Sequence, residues 1–457
     1  MKPEDSDQEA IRVRLTEWLK SKLPSADHLT LSSLTKPGLG FSNETLLGEL
    51  SWQEGDHGRQ ESLVFRLEPR QFRVFPEYDL AKQVRVMQRL SKTPVPVPDV
   101  LWLEEDPSVL GCPFYVMRKI DGEIPPDVPP YHASGPCFDA TPERRAKMWW
   151  SGLETLAQIH LVDWEGLGLG FLGVPEGATG SLVQQLDYYD GFLRWAQAGE
   201  PQPILEAALR WLRDNRFAPE RVTFCWGDSR LPNLIFHDDR VVGVLDWEMA
   251  FLGDPVADLG WWLFLDWHHS DGNGIPRLDG FPGREETVLR YEELTGWKAR
   301  NLLYYDIMAA SRFGVIMVSL ARNLKERGFT GLADLGRNNP ATRRLADLLD
   351  LPPPGQPGEA PASIDETTVR VQFHLTGPGG HDWYLVVENG EARRYEGTVP
   401  NPDTIITSSA ADWAAIERGD LERTLALLRG KLAAEGDITL LPQLDEIIPK
   451  LSGRAAT

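Results

Sequence analysis

Between Leu351 and Ser363 the chain reads LPPPGQPGEAPAS, five prolines and two glycines in thirteen residues. Each proline fixes φ and removes a backbone donor, so the stretch can neither continue a helix nor sit inside a sheet. It reads as a semi-rigid linker. The chain must therefore be built as separate bodies on either side of it. The block before it is longer than the usual domain of ~150 residues, and the block after it is smaller. The expected divisions are an N-terminal helix over 1–24, a strand-rich lobe over 25–117 and a helical lobe over 118–350. The linker over 351–363 and a small module over 364–453 follow.

Composition narrows the classes. With 42% hydrophobic and 25% charged residues among 457, each block can bury a core. Lys and Arg number 47 against 68 Asp and Glu, a formal net charge of -21. That balance speaks against a nucleic-acid partner, whose phosphates call for clustered basic side chains. It also speaks against a basic membrane-surface protein. Cys112, Cys137 and Cys225 are far apart, with neither metal-ligand nor disulfide-framework spacing, which fits a reducing cytoplasm. The opening MKPEDSDQEA is acidic and polar, unlike a secretory leader. The most apolar stretch, Gly260–Leu265, is far too short to span a bilayer.

Patterning gives the first block an α+β character. Ile11, Leu15, Trp18 and Leu19 recur at helical spacing. Strands are expected over Thr30–Lys36, Thr45–Trp52 and Ser62–Leu67, a helix over Glu77–Leu90, and strands over Val100–Leu103 and Phe114–Lys119. Beyond Asp121 the chain reads as mainly helical, with a strand-rich insert at Val222–Leu245. A small strand-rich part before a larger helical part predicts two lobes with a cleft between them.

The chemistry concentrates in Thr223–Leu259, TFCWGDSRLPNLIFHDDRVVGVLDWEMAFLGDPVADL. Gly227 permits a tight turn after a short strand, and Asp228 stands just beyond it. Leu234–Phe236 and Val241–Leu245 read as a hairpin around the polar turn His237–Arg240. Folding it brings Asn233 to the same end as Asp246. A carboxamide and a carboxylate there suit Mg²⁺, which takes one or two protein oxygens plus phosphate and water. The separate carboxylate of Asp228 could orient or deprotonate an attacking hydroxyl. These are the parts that phosphoryl transfer needs.

The order of an Asp, an Asn five residues on and a later metal-binding Asp is that of protein kinases. The wording WGDSRLPN…LDWE resembles the aminoglycoside phosphotransferase and choline kinase superfamily, in particular its subfamily fused to certain acyl-CoA dehydrogenases. The resemblance covers roughly residues 25 to 350 and implies a two-lobed protein-kinase-like fold. It implies Asp228 as catalytic base, Asn233 and Asp246 as Mg²⁺ ligands, and Asp258 of DPVADL as the brace of the catalytic loop. Upstream, Gly38, Gly40, Ser42 and Asn43 form a small polar loop whose backbone N–H groups could approach phosphates, and the superfamily has a similar loop there. Arg66 occupies the strand that should carry a phosphate-contacting cation; an exposed strand charge is its other reading. Gly111–Gly122, GCPFYVMRKIDG, resembles the strand and hinge that read an adenine edge, with Met117 near the hinge. The implied cofactors are ATP and Mg²⁺.

Two positions depart from the family. Gln83 stands where the first N-lobe helix usually carries the Glu that pairs with the strand cation, and Asp79, one turn earlier on the same face, offers a substitute carboxylate. Trp226 replaces a His that often precedes the Gly-Asp pair. Other features read as structural. Gly168-Leu-Gly170-Phe-Leu-Gly173 matches a dinucleotide fingerprint, yet a helix expected to end near Trp164 precedes it, where the fingerprint needs a strand. His268 and His269 with Asp271 read as a polar loop. Trp211, Trp226, Trp247, Trp261, Trp262 and Trp267 read mainly as lobe core, with a smaller share lining a substrate cleft.

In the last block, Val369, Val371, Phe373 and Leu375 alternate with polar residues as in a half-buried strand. Tyr384–Val387 and Ala392–Tyr395 flank the hairpin signal Asn389-Gly390. A strand over Thr404–Thr407, helices over Ala410–Arg418 and Leu421–Leu428, a short segment Lys431–Ala434 and a final helix capped by Asp437 complete it. DTIITSSAADWAAIERGD and LLRGKLAAEGDITLLPQL resemble the sterol carrier protein domain. That implies a small α/β module holding a lipid in an apolar tunnel; a purely structural or homodimerising role is the alternative. Together the resemblances imply a cytoplasmic ATP- and Mg²⁺-dependent kinase acting on the hydroxyl of an apolar small molecule, such as a hydroxyacyl thioester, sterol or other lipid. The alternatives are an antibiotic kinase acting on a cationic sugar, and a catalytically inactive nucleotide-binding fold that presents a lipid carrier.

Overall fold

The computed structural model describes residues 3–36, 44–70, 72–177, 179–327, 334–354, 369–388, 391–400, 402, 404–418 and 432–436. Two compact units are present: Met1–Trp195 with Glu206–Phe313, and Ala196–Leu205 with Gly314–Thr457.

The first unit opens with α1 (Pro3–Lys22), whose Leu15, Trp18 and Leu19 are buried as their spacing predicts. A five-stranded antiparallel sheet follows from β1 (Asp27–Leu31), β2 (Glu44–Glu54), β3 (His57–Leu67), β4 (Val100–Glu104) and β5 (Phe114–Arg118), in the order β1-β2-β3-β5-β4. The helix α2 (Leu80–Leu90) lies between β3 and β4 in sequence. The strand expected over Thr30–Lys36 is set earlier and shorter. Ser32 Oγ accepts from the Glu49 amide, and past it only an isolated bridge, Thr35 to Leu47, continues the pairing.

Strand periodicity sorts this sheet into two faces. Leu63, Phe65 and Leu67 of β3, with Phe114 and Val116 of β5, bury themselves against α1. Val64, Tyr115 and Met117 point the other way, into the core that α2 shares with the helical lobe. Arg66 belongs to this second set by alternation, so the pleat alone carries its guanidinium toward the cleft.

The helical lobe contains α3 (Pro136–Asp139), α4 (Pro142–His160), α5 (Gly180–Gln197) and α6 (Pro203–Asp214). Short ladders follow: β6 (Thr223–Cys225) pairs with β9 (Phe251–Gly253), and β7 (Leu234–His237) with β8 (Arg240–Val244). The β7–β8 turn uses Asp238 and Asp239 at φ 49° and 62°, the left-handed pair that closes a two-residue hairpin. Next come α7 (Val256–His269), α8 (Arg284–Thr295) and α9 (Leu302–Glu326). By length and composition α9 could cross a membrane, but 67% of its apolar window is buried in the protein, as in a core helix.

Two local expectations are corrected. The helix before the Gly168–Gly173 segment, α4, ends at His160 rather than near Trp164, and Leu169–Leu172 forms a single 3-10 turn. His268 and His269 are not in a polar loop. They form the last turn of α7, where His269 is buried.

In the second unit α10 (Pro340–Leu349) is capped by Asn339, whose side chain accepts from the Ala341 and Thr342 amides. A second five-stranded sheet has β10 (Val369–Thr376), β11 (Asp382–Glu388), β12 (Glu391–Glu396), β13 (Thr404–Ser409) and β14 (Leu432–Gly436) in the order β12-β11-β10-β13-β14. The β10–β13 pair is parallel and the others antiparallel. The helix α11 (Ala410–Arg418) sets Trp413 against Phe373 and Trp383, whose rings stack 3.8 Å apart. The segment expected only as short, Lys431–Ala434, lies largely in β14. Asn389-Gly390, the helix over Leu421–Leu428 and the Asp437-capped helix lie outside the described residues.

Candidate active site

The site forms where β6, the β7–β8 hairpin and α7 converge. After β6 the chain turns at Gly227, φ 90°. A Cβ there would stand 2.0 Å from the Met249 carbonyl oxygen, so no side chain fits. The turn delivers Asp228 into a buried position. Its Oδ1 accepts from Trp261 Nε1 of α7 at 2.8 Å. Its Oδ2 accepts from Asn233 Nδ2 at 2.7 Å and from Arg230 Nε at 3.0 Å. Burial pushes the Asp228 carboxyl up, Arg230 pulls it down, and Asp246 pushes it up again; the net direction is upward.

The hairpin brings Asn233 and Asp246 to one end, as folding the sequence requires: the Leu245 amide donates to the Asn233 carbonyl at 2.9 Å. Asp246 sits at φ 61°, a left-handed conformation that Asp tolerates better than most residues. Asn233 spends its amide nitrogen on Asp228, which leaves its side-chain carbonyl oxygen as the atom to offer a cation. That oxygen and the Asp246 carboxylate are the hard donors Mg²⁺ takes. Asp246 Oδ1 meets Arg66 Nη2 at 3.2 Å, so Arg66 is a partly buried cleft cation rather than an exposed strand charge. Arg66 Nη1 also donates to Thr45 Oγ1.

Asp258 is fully buried in α7. Its two oxygens accept from the Trp226 amide at 2.6 Å and the Gly227 amide at 2.9 Å, the hydrogen bonds a loop brace requires. His160 Nε2 reaches the same carboxylate at 3.1 Å. His160, Cys225 and Asp258 bring three potential metal-ligand atoms within 4.8 Å, but the His and Asp atoms are spent on these protein hydrogen bonds.

Asp79 does not substitute for a helix glutamate. It caps α2, accepting from the Lys82 amide at 2.7 Å. Gln83 is buried and accepts from Tyr115 Oη at 3.3 Å. Among the described residues, the carboxylate partner of Arg66 is thus Asp246, not a side chain of α2. Met117 is buried in the core. Gly38, Gly40, Ser42 and Asn43 lie outside the described residues.

Sequence reasoning missed several residues that hold the site. Trp261 was grouped with the core tryptophans, yet its indole N–H fixes the Asp228 carboxylate. Trp226, besides its amide, donates Nε1 to the Leu245 carbonyl next to Asp246. Arg312 of α9 is buried, donates to the Gly227 carbonyl and to Tyr189 Oη, and stacks on Trp261 at 4.4 Å. Arg230 bridges Asp228 and Asp127. The one signal for Arg230 was its place two residues after Asp228. Nothing local marks Asp127 or Arg312.

Comparison with known proteins agrees with this geometry. The profile of the phosphotransferase enzyme family matches residues 38–294, and that of the SCP-2 sterol transfer family matches residues 348–449. Acyl-CoA dehydrogenase family member 10 of Mus musculus is 31% identical over 254 residues, 53% of this chain and 22% of that protein. A protein of Arabidopsis thaliana named as the acyl-CoA dehydrogenase IBR3 is 30% identical over 294 residues, 59% of this chain and 33% of its own. The chain thus spans between 22% and 38% of the length of the curated relatives it matches. A crystal structure assigned as an aminoglycoside phosphotransferase of Ralstonia eutropha superposes with a TM-score of 0.55 at 24% identity, covering 74% of this chain and 98% of that one. That likeness shows the fold, a two-lobed kinase-like one. The chain belongs to the phosphotransferase enzyme family and carries an SCP-2 sterol transfer domain C-terminal to its kinase-like region.

Proposed function

We propose that the protein is an ATP- and Mg²⁺-dependent kinase that phosphorylates the hydroxyl of an apolar small molecule, a hydroxyacyl thioester before a sterol or other lipid. The observation that carries this reading is the seating of Asp228. One carboxylate is held by an indole, a carboxamide and a guanidinium, beside a hairpin end with two hard oxygen donors. Asp228 would orient the acceptor hydroxyl and take its proton. Its burial favours the protonated form, which suits a group that must accept a proton during the reaction. Asn233 and Asp246 would hold Mg²⁺, whose charge would offset that of the nucleotide phosphates. Arg66 would supply a second cation at the phosphate side, and Gly38 to Asn43 the backbone cradle. Met117 would lie at the adenine edge. Catalysis in this arrangement is positioning and electrostatics.

The acceptor class rests on two supports. Relatives bear acyl-CoA dehydrogenase names, and the SCP-2 match points to an apolar ligand of the C-terminal block. In this reading the kinase-like part runs to residue 350 and the carrier-like module occupies 364–453, in the cytoplasm.

The test is transfer from γ-labelled ATP with Mg²⁺ to hydroxyacyl-CoA thioesters, hydroxysterols and aminoglycosides, beside Asp228→Asn. Label on the thioesters that disappears in Asp228→Asn is the expected result. Label confined to aminoglycosides would replace the acceptor class with the antibiotic one. No Asp228-dependent label on any acceptor, with ATP still bound, would favour an inactive nucleotide-binding fold.

A further inference from the structure

The donors on Asp228 are not equivalent. Trp261 reaches it from α7, and Asn233 from the same catalytic loop. Arg230 is the cationic one, and it alone ties Asp228 to the segment after the sheet. While Nε holds Asp228 Oδ2 at 3.0 Å, Nη1 holds Asp127 Oδ1 at 2.5 Å. The same Asp127 oxygen meets His269 Nε2 at 3.1 Å, and His269 Nδ1 is anchored on the Leu265 carbonyl of α7 at 2.7 Å. Among the described residues Arg230 Nη2 has no hydrogen-bond partner, and the side chain is 22% exposed. A chain of fixed groups therefore runs from α7 through His269, Asp127 and Arg230 to the carboxylate. It ends at a guanidinium that is still open to solvent.

We propose that Arg230 is a positioning residue for the base, its guanidinium fixing the plane of the Asp228 carboxylate, and that Asp127, held by His269, sets where the guanidinium stands. This rests on the reading of Asp228 as base. A planar fork is well matched to such positioning. Nε and Nη1 diverge at a fixed angle, so a guanidinium anchored at Nη1 has little freedom at Nε. A lysine ammonium has no such second anchor. The effect falls on turnover rather than on nucleotide binding, because Arg230 makes no hydrogen bond to Asp246 and acts on it only through its charge, whose removal would not weaken a cation held there.

The experiment uses the full chain and follows Mg·ATP turnover with water as acceptor in wild type, Asp228→Asn, Arg230→Ala, Arg230→Lys and Asp127→Asn. Mg·ATP affinity is measured separately by calorimetry. Loss of orientation at a reacting group costs about 10²-fold, and that is the expected fall in kcat for Arg230→Ala, with no loss of Mg·ATP affinity. Added guanidinium ion should restore part of that turnover, since the vacated site opens to solvent. It should do nothing for Asp228→Asn. Arg230→Lys keeps the charge but not the second anchor, so it should retain more turnover than Arg230→Ala yet stay well below wild type, and Asp127→Asn should lose several-fold in kcat alone. Wild-type kcat in Arg230→Ala would overturn the proposal. So would an equal loss in Arg230→Lys and Arg230→Ala with no guanidinium rescue, which marks a merely structural ion pair. If Arg230→Ala fails to fold, Asp127→Asn decides: an unchanged kcat overturns the proposal. Wild-type turnover in Asp228→Asn would instead remove the base reading, and the proposal with it.

Discussion

Asp127 accepts from Arg230 and His269, two groups far from it along the chain. No local pattern marks such a residue, whereas Gly227 and Asn233, near Asp228 in sequence, mark that carboxylate; Trp261, 33 residues on, does not. Burial alone would push the Asp127 carboxyl up, but Arg230 and His269 outweigh burial and hold it well below the usual carboxylate range. The sign of the linkage follows. A carboxyl depressed in the folded state stabilises the fold above its unfolded value of about 3.9, and that contribution is lost as pH falls through the folded value. Asp127→Asn should therefore be less stable than wild type at neutral pH, and the gap should narrow as pH drops below about 4. Denaturant midpoints measured across that range check it. A gap independent of pH would mean that Asp127 contributes through shape and not through charge.

Elements were easier to read than their joints. The β2–β3 hairpin, α2 and the β7–β8 hairpin announce themselves by period and turn chemistry. β1 ends earlier than its pattern suggests: at Ser32 the side-chain Oγ takes the Glu49 amide that a ladder carbonyl would otherwise accept, and beyond it the pairing shrinks to the Thr35–Leu47 bridge. The contact between α4 and α7 could not be read from either helix alone. At Gly152 a Cβ would lie 2.5 Å from Trp262 Cη2 and 3.0 Å from Leu234 Cδ1, so the glycine lets α4 approach both α7 and the strand that follows Asn233. Two effects oppose each other in Gly152→Ala. Helix propensity favours alanine by about 1 kcal/mol, while overpacking against a rigid buried indole costs about 1–3 kcal/mol. Overpacking should win, giving a net loss of up to about 2 kcal/mol by urea unfolding. A stabilised variant would show that Trp262 can retreat and that the close approach is incidental.

At the scale of the whole molecule, the proline-rich stretch at 351–363 is the plainest feature of the sequence, and the SCP-2 match begins just before it, at residue 348. In the proposed reading, which joins a kinase to a carrier-like module across that stretch, the module's ligand and the kinase's acceptor should share chemistry, so each tests the assignment of the other. Asp228 and its partners all lie before residue 313, whereas the aromatic cluster of Phe373 and Trp383 on the C-terminal sheet and Trp413 on α11 lies after it. Asp228→Asn should therefore abolish transfer and leave displacement of a fluorescent fatty acyl probe unchanged. Thioesters that are phosphorylated should also compete with the probe, and aminoglycosides should not. If no apolar probe binds the full chain, the C-terminal block no longer supports an apolar acceptor. The acceptor would then have to be argued from the kinase-like cleft alone, where Asp127, Asp228 and Asp246 would suit a cationic sugar as readily as Arg230 and Arg66 would suit an anionic thioester.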